Sequence, residues 1–195
     1  MHDIDYLYHY YDKDKPLLRP LTALPFDEAE IILRSSLAEC PDATDKFLNW
    51  FPKWHLQHRY ELERTIRNKF IAIGGNPVNT SPVYFALGPN KGLETWYDNF
   101  GVIKIPVSEF DLLTVSFTYG DAFAVFNPKC NTGEEWWEQV YMYEDIIKLV
   151  DKFGFPEDPE YNSRKMIFPK DKPINEYQKY VEAHVWSDTV LNKYR

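Results

Sequence analysis

Apolar positions change their spacing along the chain, and each change marks a different element. At the start, Tyr6-Leu-Tyr-His-Tyr-Tyr11 is bulky everywhere except His9, which predicts a largely buried strand. Residues 12–24 contain Pro16 and Pro20 and read as a loop. Helical spacing begins at Pro25, where a first turn tolerates proline, with acidic Asp27 and Glu28 close behind. Phe26, Ala29, Leu33 and Leu37 share one face, so residues 25–39 should form an amphipathic helix ended by Cys40-Pro41. A longer helix is expected from about residue 52 to 73, with Leu56, Tyr60, Ile66, Phe70 and Ile73 on its apolar stripe. Glu63 interrupts that stripe. Standing four residues from both Arg59 and Arg67, it reads as part of an exposed, ion-paired face. Gly74-Gly75 and Pro77 stop the helix.

The middle of the chain switches to short apolar runs. Residues 82–88, 102–106 and 115–120 read as strands, 93–99 as a short helix and 138–143 as a further strand. Pro106 favours a strand end or a sheet edge. Ile146, Ile147 and Val150 define a helix over 144–153, stopped by Gly154 and Pro156. Residues 155–176 carry four prolines and many charges, which predicts a long surface excursion. The last strand spans 179–186. No repeat or composition shift divides residues 1–195, so the expectation is a single α+β domain. Its mixed or antiparallel sheet is flanked by two or three helices, with the two aromatic end strands meeting in that sheet.

Composition narrows the setting. Aromatics make up 17% of the chain, enough both to fill a core and to wall a pocket for a planar ring. Cys40 and Cys130 stand alone, without disulfide or metal-ligand patterning, as suits a reducing compartment. No signal-peptide pattern and no membrane-length apolar run is seen, so a cytoplasmic location away from membrane is expected. A net charge of −8 disfavours non-specific nucleic-acid binding.

The phosphate-binding, nucleophile-elbow and zinc-protease signatures are missing, and no metal is expected. His55 and His58 could share an ion, but no third ligand stands at matching spacing and Arg59 would repel a cation, so two solvated histidines on a charged helix are expected. Arg59, Arg64, Arg67 and Lys69 form a basic cluster, diluted by Glu61 and Glu63 into an ordinary solvated face. Asp121, just past the Ser116-Phe-Thr-Tyr-Gly120 strand, either caps the next turn or lines a cleft with Thr118 and Tyr119. Glu182 and His184 lie two apart and so point to one face of the last strand. A carboxylate there is either on an edge facing solvent or in a cleft, contacting a ligand hydroxyl opposite His9.

Four blocks, Tyr8-His-Tyr10, Ile105-Pro-Val-Ser-Glu-Phe-Asp111, Val115-Ser-Phe-Thr-Tyr-Gly-Asp121 and His184-Val-Trp-Ser-Asp188, resemble those of a family of uncharacterised bacterial proteins of similar length. A more distant resemblance is to the ADP-ribosyltransferase-like fold, whose first strand carries a Tyr-His pair and a late strand a glutamate. That resemblance implies NAD as the nucleotide ligand. It implies that His9 holds the NAD ribose and amide region, that Tyr84 and Tyr97 wall the nicotinamide, and that Glu182 assists its departure. The triplet Glu182-Ala-His184 lacks the second acid of some transferases. Two other functions remain open from the residues: a non-enzymatic domain binding a protein or ligand, and a metal-dependent hydrolase or nuclease built on Asp121.

Overall fold

The computed structural model describes residues 4–15, 17–39, 44–94, 96–97, 99–131, 133–156 and 180–195. Cys40 and most of the expected 155–176 excursion lie outside the described residues. The chain runs through β1 (Tyr6–Asp12), α1 (Phe26–Ala38), α2 (Asp45–Ala72), β2 (Val83–Leu87), α3 (Lys91–Glu94), β3 (Phe100–Pro106), β4 (Val115–Thr118), α4 (Ala122–Val125), α5 (Tyr143–Phe153), β5 (Val181–Val185) and α6 (Asp188–Leu191). The five strands form one sheet in the order β3-β1-β2-β5-β4, and every neighbouring pair is antiparallel. This is the expected α+β architecture. The two end strands share the sheet, and β2 lies between them.

Register decides which side chains meet. Tyr8 pairs with Ala86, Ala86 with Glu182, and Glu182 with Thr118, so these four form one row across one face. Tyr84, His184 and Ser116 form the next row of that face. The alternate residues, Leu7, Phe85, Leu87, Phe117, Val181, Ala183 and Val185, turn to the opposite face. There they join the main core, together with Ile146 and Leu149 of α5. α2 covers the first face, burying Leu62, Ile66 and Phe70 against Ala122, Val140 and Trp186. α1 lies beside α2, where the rings of Phe26 and Tyr60 sit 5.9 Å apart.

Several boundaries differ from the sequence-based expectation. α2 begins at Asp45 rather than near Pro52, because the Thr44 hydroxyl accepts the Phe47 N–H and starts the helix earlier. Pro52 is therefore inside the helix and buried. The helix expected over 93–99 is the single turn Lys91–Glu94, started where Asn90 Oδ1 accepts the Leu93 N–H. The strand expected over 138–143 does not form: Tyr141 makes only an isolated bridge to Phe117. Glu138 sits at φ 54°, in the left-handed region that extended strands avoid, and α5 begins at Tyr143. Glu63 is not on a solvated face; it is 2% exposed and turned toward the sheet. Gly74 at φ 101° and Gly154 at φ 85° end α2 and α5 in backbone conformations that favour glycine.

Phe117 is fully buried at the centre of the main core. Phe117→Ala should destabilise the protein by about 3–5 kcal/mol. Urea denaturation checks this as a lower midpoint with an unchanged m value.

Candidate functional site

Ionisable groups gather on the sheet face beneath α2. Glu182 lies in an interior strand and is 3% exposed, so the solvent-facing edge explanation for this residue does not hold. Its Oε2 accepts the Ala122 backbone N–H at 2.6 Å. Asp121 caps the start of α4 by accepting the Phe123 N–H at 2.8 Å, and it also accepts the Tyr180 hydroxyl at 3.3 Å. From the helix side, Glu63 Oε1 accepts the Thr22 hydroxyl at 2.9 Å and the Tyr84 hydroxyl at 3.0 Å. The Arg59 guanidinium lies over the Tyr84 ring at 3.9 Å and the Phe123 ring at 4.9 Å, with its Nε 3.8 Å from Glu63. Arg59 and Glu63 reach the same place because they stand one helical turn apart.

The shared burial shifts the acids and bases. Burial pushes Glu182 up to about 8, and the Asp121 charge adds to that, while Arg59 and the Ala122 N–H pull the other way. Burial raises Asp121 and Glu63 as well, against the opposing pull of Arg59. Burial disfavours the charge on Arg59, but Tyr84, Glu182, Glu63 and Asp121 together hold it protonated.

His184 is fully buried at the centre of the second row. The Trp186 indole N–H donates to Ser116 Oγ at 2.9 Å, and Ser116 Oγ lies 3.2 Å from His184 Nδ1. The second ring nitrogen, Nε2, is turned toward Glu182. That Nε2 lies 4.0 Å from Glu182 Oε1 and makes no hydrogen bond among the described residues. Burial, then the Arg59 charge, depress His184 to about 3, so the ring is neutral at ordinary pH.

The residues singled out from the sequence divide between the two faces. Tyr84, Thr118, Asp121 and Glu182 lie together. Tyr97 sits at the border of this face, half-buried beside the Tyr10, Ala86 and Leu93 cluster. Thr118 is buried and donates to the Gly120 carbonyl. His9 points to the other face. Its ring packs 5.1 Å from Phe85 and its Nδ1–H donates to the Tyr84 carbonyl at 2.8 Å, so it shares no cleft with Glu182. Tyr119 also belongs to the opposite core, against Trp136, with its hydroxyl on the Gly154 carbonyl. Tyr84 cannot offer both ring faces to a nicotinamide, because Arg59 occupies one.

Arg59, Glu63 and Tyr180 were not expected here. The available signal was Glu63 itself, an acid on an otherwise apolar stripe. The basic cluster also dissolves: Arg59 faces the site, and Arg67 donates to the carbonyls of Asn79 and Pro77. His55 stacks between Phe51 and Phe123, and His58 Nδ1 donates to the Trp54 carbonyl. Among the described residues, no group of three or more His, Cys, Asp or Glu side chains is arranged to hold a metal ion. None of the described helices is long and apolar enough to cross a membrane. Set against known proteins, the chain matches no family model, no curated protein and no solved structure.

Two measurements follow from this electrostatics. The native value of Glu182, about 8, exceeds its ordinary 4.5, so between those pH values the native state keeps a proton that the unfolded chain has shed. The stability from that proton is complete below about 4.5 and is lost as pH rises through 8. Relative to Glu182→Gln, which stays neutral, the wild-type melting temperature should therefore fall progressively across that window. Second, ¹⁵N NMR should find His184 as the neutral imidazole throughout pH 5–8, and Ser116→Ala should redistribute its proton between the two nitrogens.

Proposed function

We propose that the protein binds NAD and acts on its nicotinamide–ribose bond, as an ADP-ribosyltransferase-like protein with Glu182 as the working carboxylate. The observation that carries this reading is the placement of buried Glu182 beside Asp121 and Arg59 on one sheet face. Departure of nicotinamide builds positive charge at the sugar carbon, and preorganised negative groups stabilise such charge most where water is excluded. Three carboxyl groups surround one guanidinium here. One guanidinium neutralises only one carboxylate, so each further acid that ionises adds net negative charge to the face. That balance favours a cationic transition state over a bound free anion.

In this reading Glu182 faces the reacting carbon, Asp121 adds negative charge and Arg59 restrains the surrounding carboxylates. Tyr97 is the aromatic wall left for the planar ring, since Arg59 covers Tyr84. His9 has no role. The non-catalytic alternative draws support from Trp50 and Trp54, both more than 40% exposed with rings 5.9 Å apart, which offer an aromatic surface for a protein or ligand.

Millimolar NAD should raise the melting temperature and be converted with release of nicotinamide. Glu182→Gln should lower that release by roughly 100-fold or more, the usual scale for losing one electrostatic stabiliser. The wild-type rate should rise with pH toward an inflection near 8, as Glu182 ionises. Absence of both thermal shift and nicotinamide release would remove the NAD reading and leave the binding-domain alternative.

A further inference from the structure

Three buried side-chain polar atoms lack a hydrogen-bond partner among the described residues: Glu63 Oε2, Trp137 Nε1 and His184 Nε2. Two of the three belong to the face beneath α2. Glu63 is the more unusual, because its two oxygens are treated so unequally. Oε1 accepts both the Thr22 and the Tyr84 hydroxyls, while Oε2 has no hydrogen-bond partner among the described residues, and the nearby Ser81 hydroxyl donates to the Thr22 carbonyl. A carboxylate oxygen can take two donors, and buried polar atoms in native proteins are rarely left unmatched.

Arg59 shows the complementary condition. Its guanidinium is held between the rings of Tyr84 and Phe123, so its planar donor fork is fixed in orientation. Among the described residues it donates no hydrogen bond; its only ion pair is the 3.8 Å approach of Nε to Glu63 Oε1. An ordered cation with idle donors thus stands one helical turn from a buried carboxylate with an idle acceptor.

The chemistry of a group that satisfies both is restricted. A phosphate or carboxylate accepts from Arg59 but cannot donate to Glu63, and Glu63, Asp121 and Glu182 repel it. An ammonium donates to Glu63 but cannot accept from Arg59, which repels it. A hydroxyl does both without charge, and two neighbouring hydroxyls use a carboxylate oxygen and a guanidinium fork together. We infer that Glu63 and Arg59 form a subsite for the vicinal hydroxyls of a ribose-like sugar. This inference rests on the glycosyl reading of the same face and names the part of the ligand that is held there. Thr22 and Tyr84 act as positioning residues, since they fix Glu63 through Oε1 and leave Oε2 for the ligand.

The test uses nicotinamide riboside and its 2′,3′-dideoxy counterpart as probes, titrated calorimetrically into the full chain carrying Glu182→Gln so that no turnover intervenes. The riboside should bind at least ten-fold more tightly than the dideoxy form. Adding Glu63→Gln, which keeps an acceptor for Thr22 and Tyr84 but replaces the second carboxylate oxygen with an amide that cannot accept, should erase that preference. Equal binding of the two nucleosides, binding of neither, or a preference that survives Glu63→Gln would overturn the inference. Should the Glu63→Gln chain not fold, the riboside comparison in the parent chain still decides. The two readings fail separately: a ten-fold sugar preference without nicotinamide release removes the catalytic proposal alone, and release without the preference removes the hydroxyl subsite alone.

Discussion

Keeping three carboxyl groups and one guanidinium largely out of water on a single sheet face is the constraint on which this arrangement depends. Burying an unpaired carboxylate costs several kcal/mol, and one arginine cannot neutralise three acids. The fold meets that cost piecemeal. Glu182 takes a backbone N–H from the start of α4, Asp121 is tied down as the cap of the same helix, and Glu63 receives two hydroxyls. Arg59 is then held in place by aromatic rings rather than by a tight ion pair. The remaining imbalance is met by weakened acidities, with the pKa of Glu182 pushed up to about 8 and those of Asp121 and Glu63 raised as well.

Much of the scaffold was legible because its signals are local. The aromatic run of β1, the apolar runs of β2 and β5 and the 3.6-residue stripe of α5 identify their elements without reference to partners. Local signals mislead where a residue has two common uses. Pro52 reads as a helix start, yet it lies within a helix begun at the Thr44 cap, and stacked Phe47, Phe51 and His55 help carry the extended N-terminal segment. Residues 138–143 look like a strand by composition, but Glu138 takes a left-handed backbone and leaves only Tyr141 to pair.

The site was harder to read, because it depends on relations between elements. Alternation within β5 correctly places Glu182 and His184 on one face. The relation of that face to β1 is set only by the register of β2 between them, and this brings Tyr8 rather than His9 to the side of Glu182. A shift of one residue in that register would reverse the outcome. Glu63 shows in the sequence only as a break in an apolar stripe, and its spacing to Arg59 and Arg67 suits a solvated ion pair equally well. Its burial follows from the Thr22 and Tyr84 hydroxyls waiting opposite, from two other stretches of chain, and from Arg59 one turn away on the same helix.

The two faces of the sheet divide the labour. On one, Leu7, Phe85, Leu87, Phe117, Val181, Ala183 and Val185 meet α5 in an apolar layer, with His9 beside Phe85 as a polar member tied to a backbone carbonyl. On the other, Glu182, His184, Ser116 and Thr118 occupy interior-strand positions where apolar residues would be the stabilising choice. A sheet can carry such a face only if its opposite side supplies enough burial to hold the strands in register. Violations confined to one face of an otherwise consistent fold are the pattern expected of a site kept for its chemistry. The alternative, a polar network that serves only to specify the packing of α2, would be expected to complete its own hydrogen bonds. Among the described residues Glu63 Oε2 and His184 Nε2 have no hydrogen-bond partner, and that weighs on the side of a ligand.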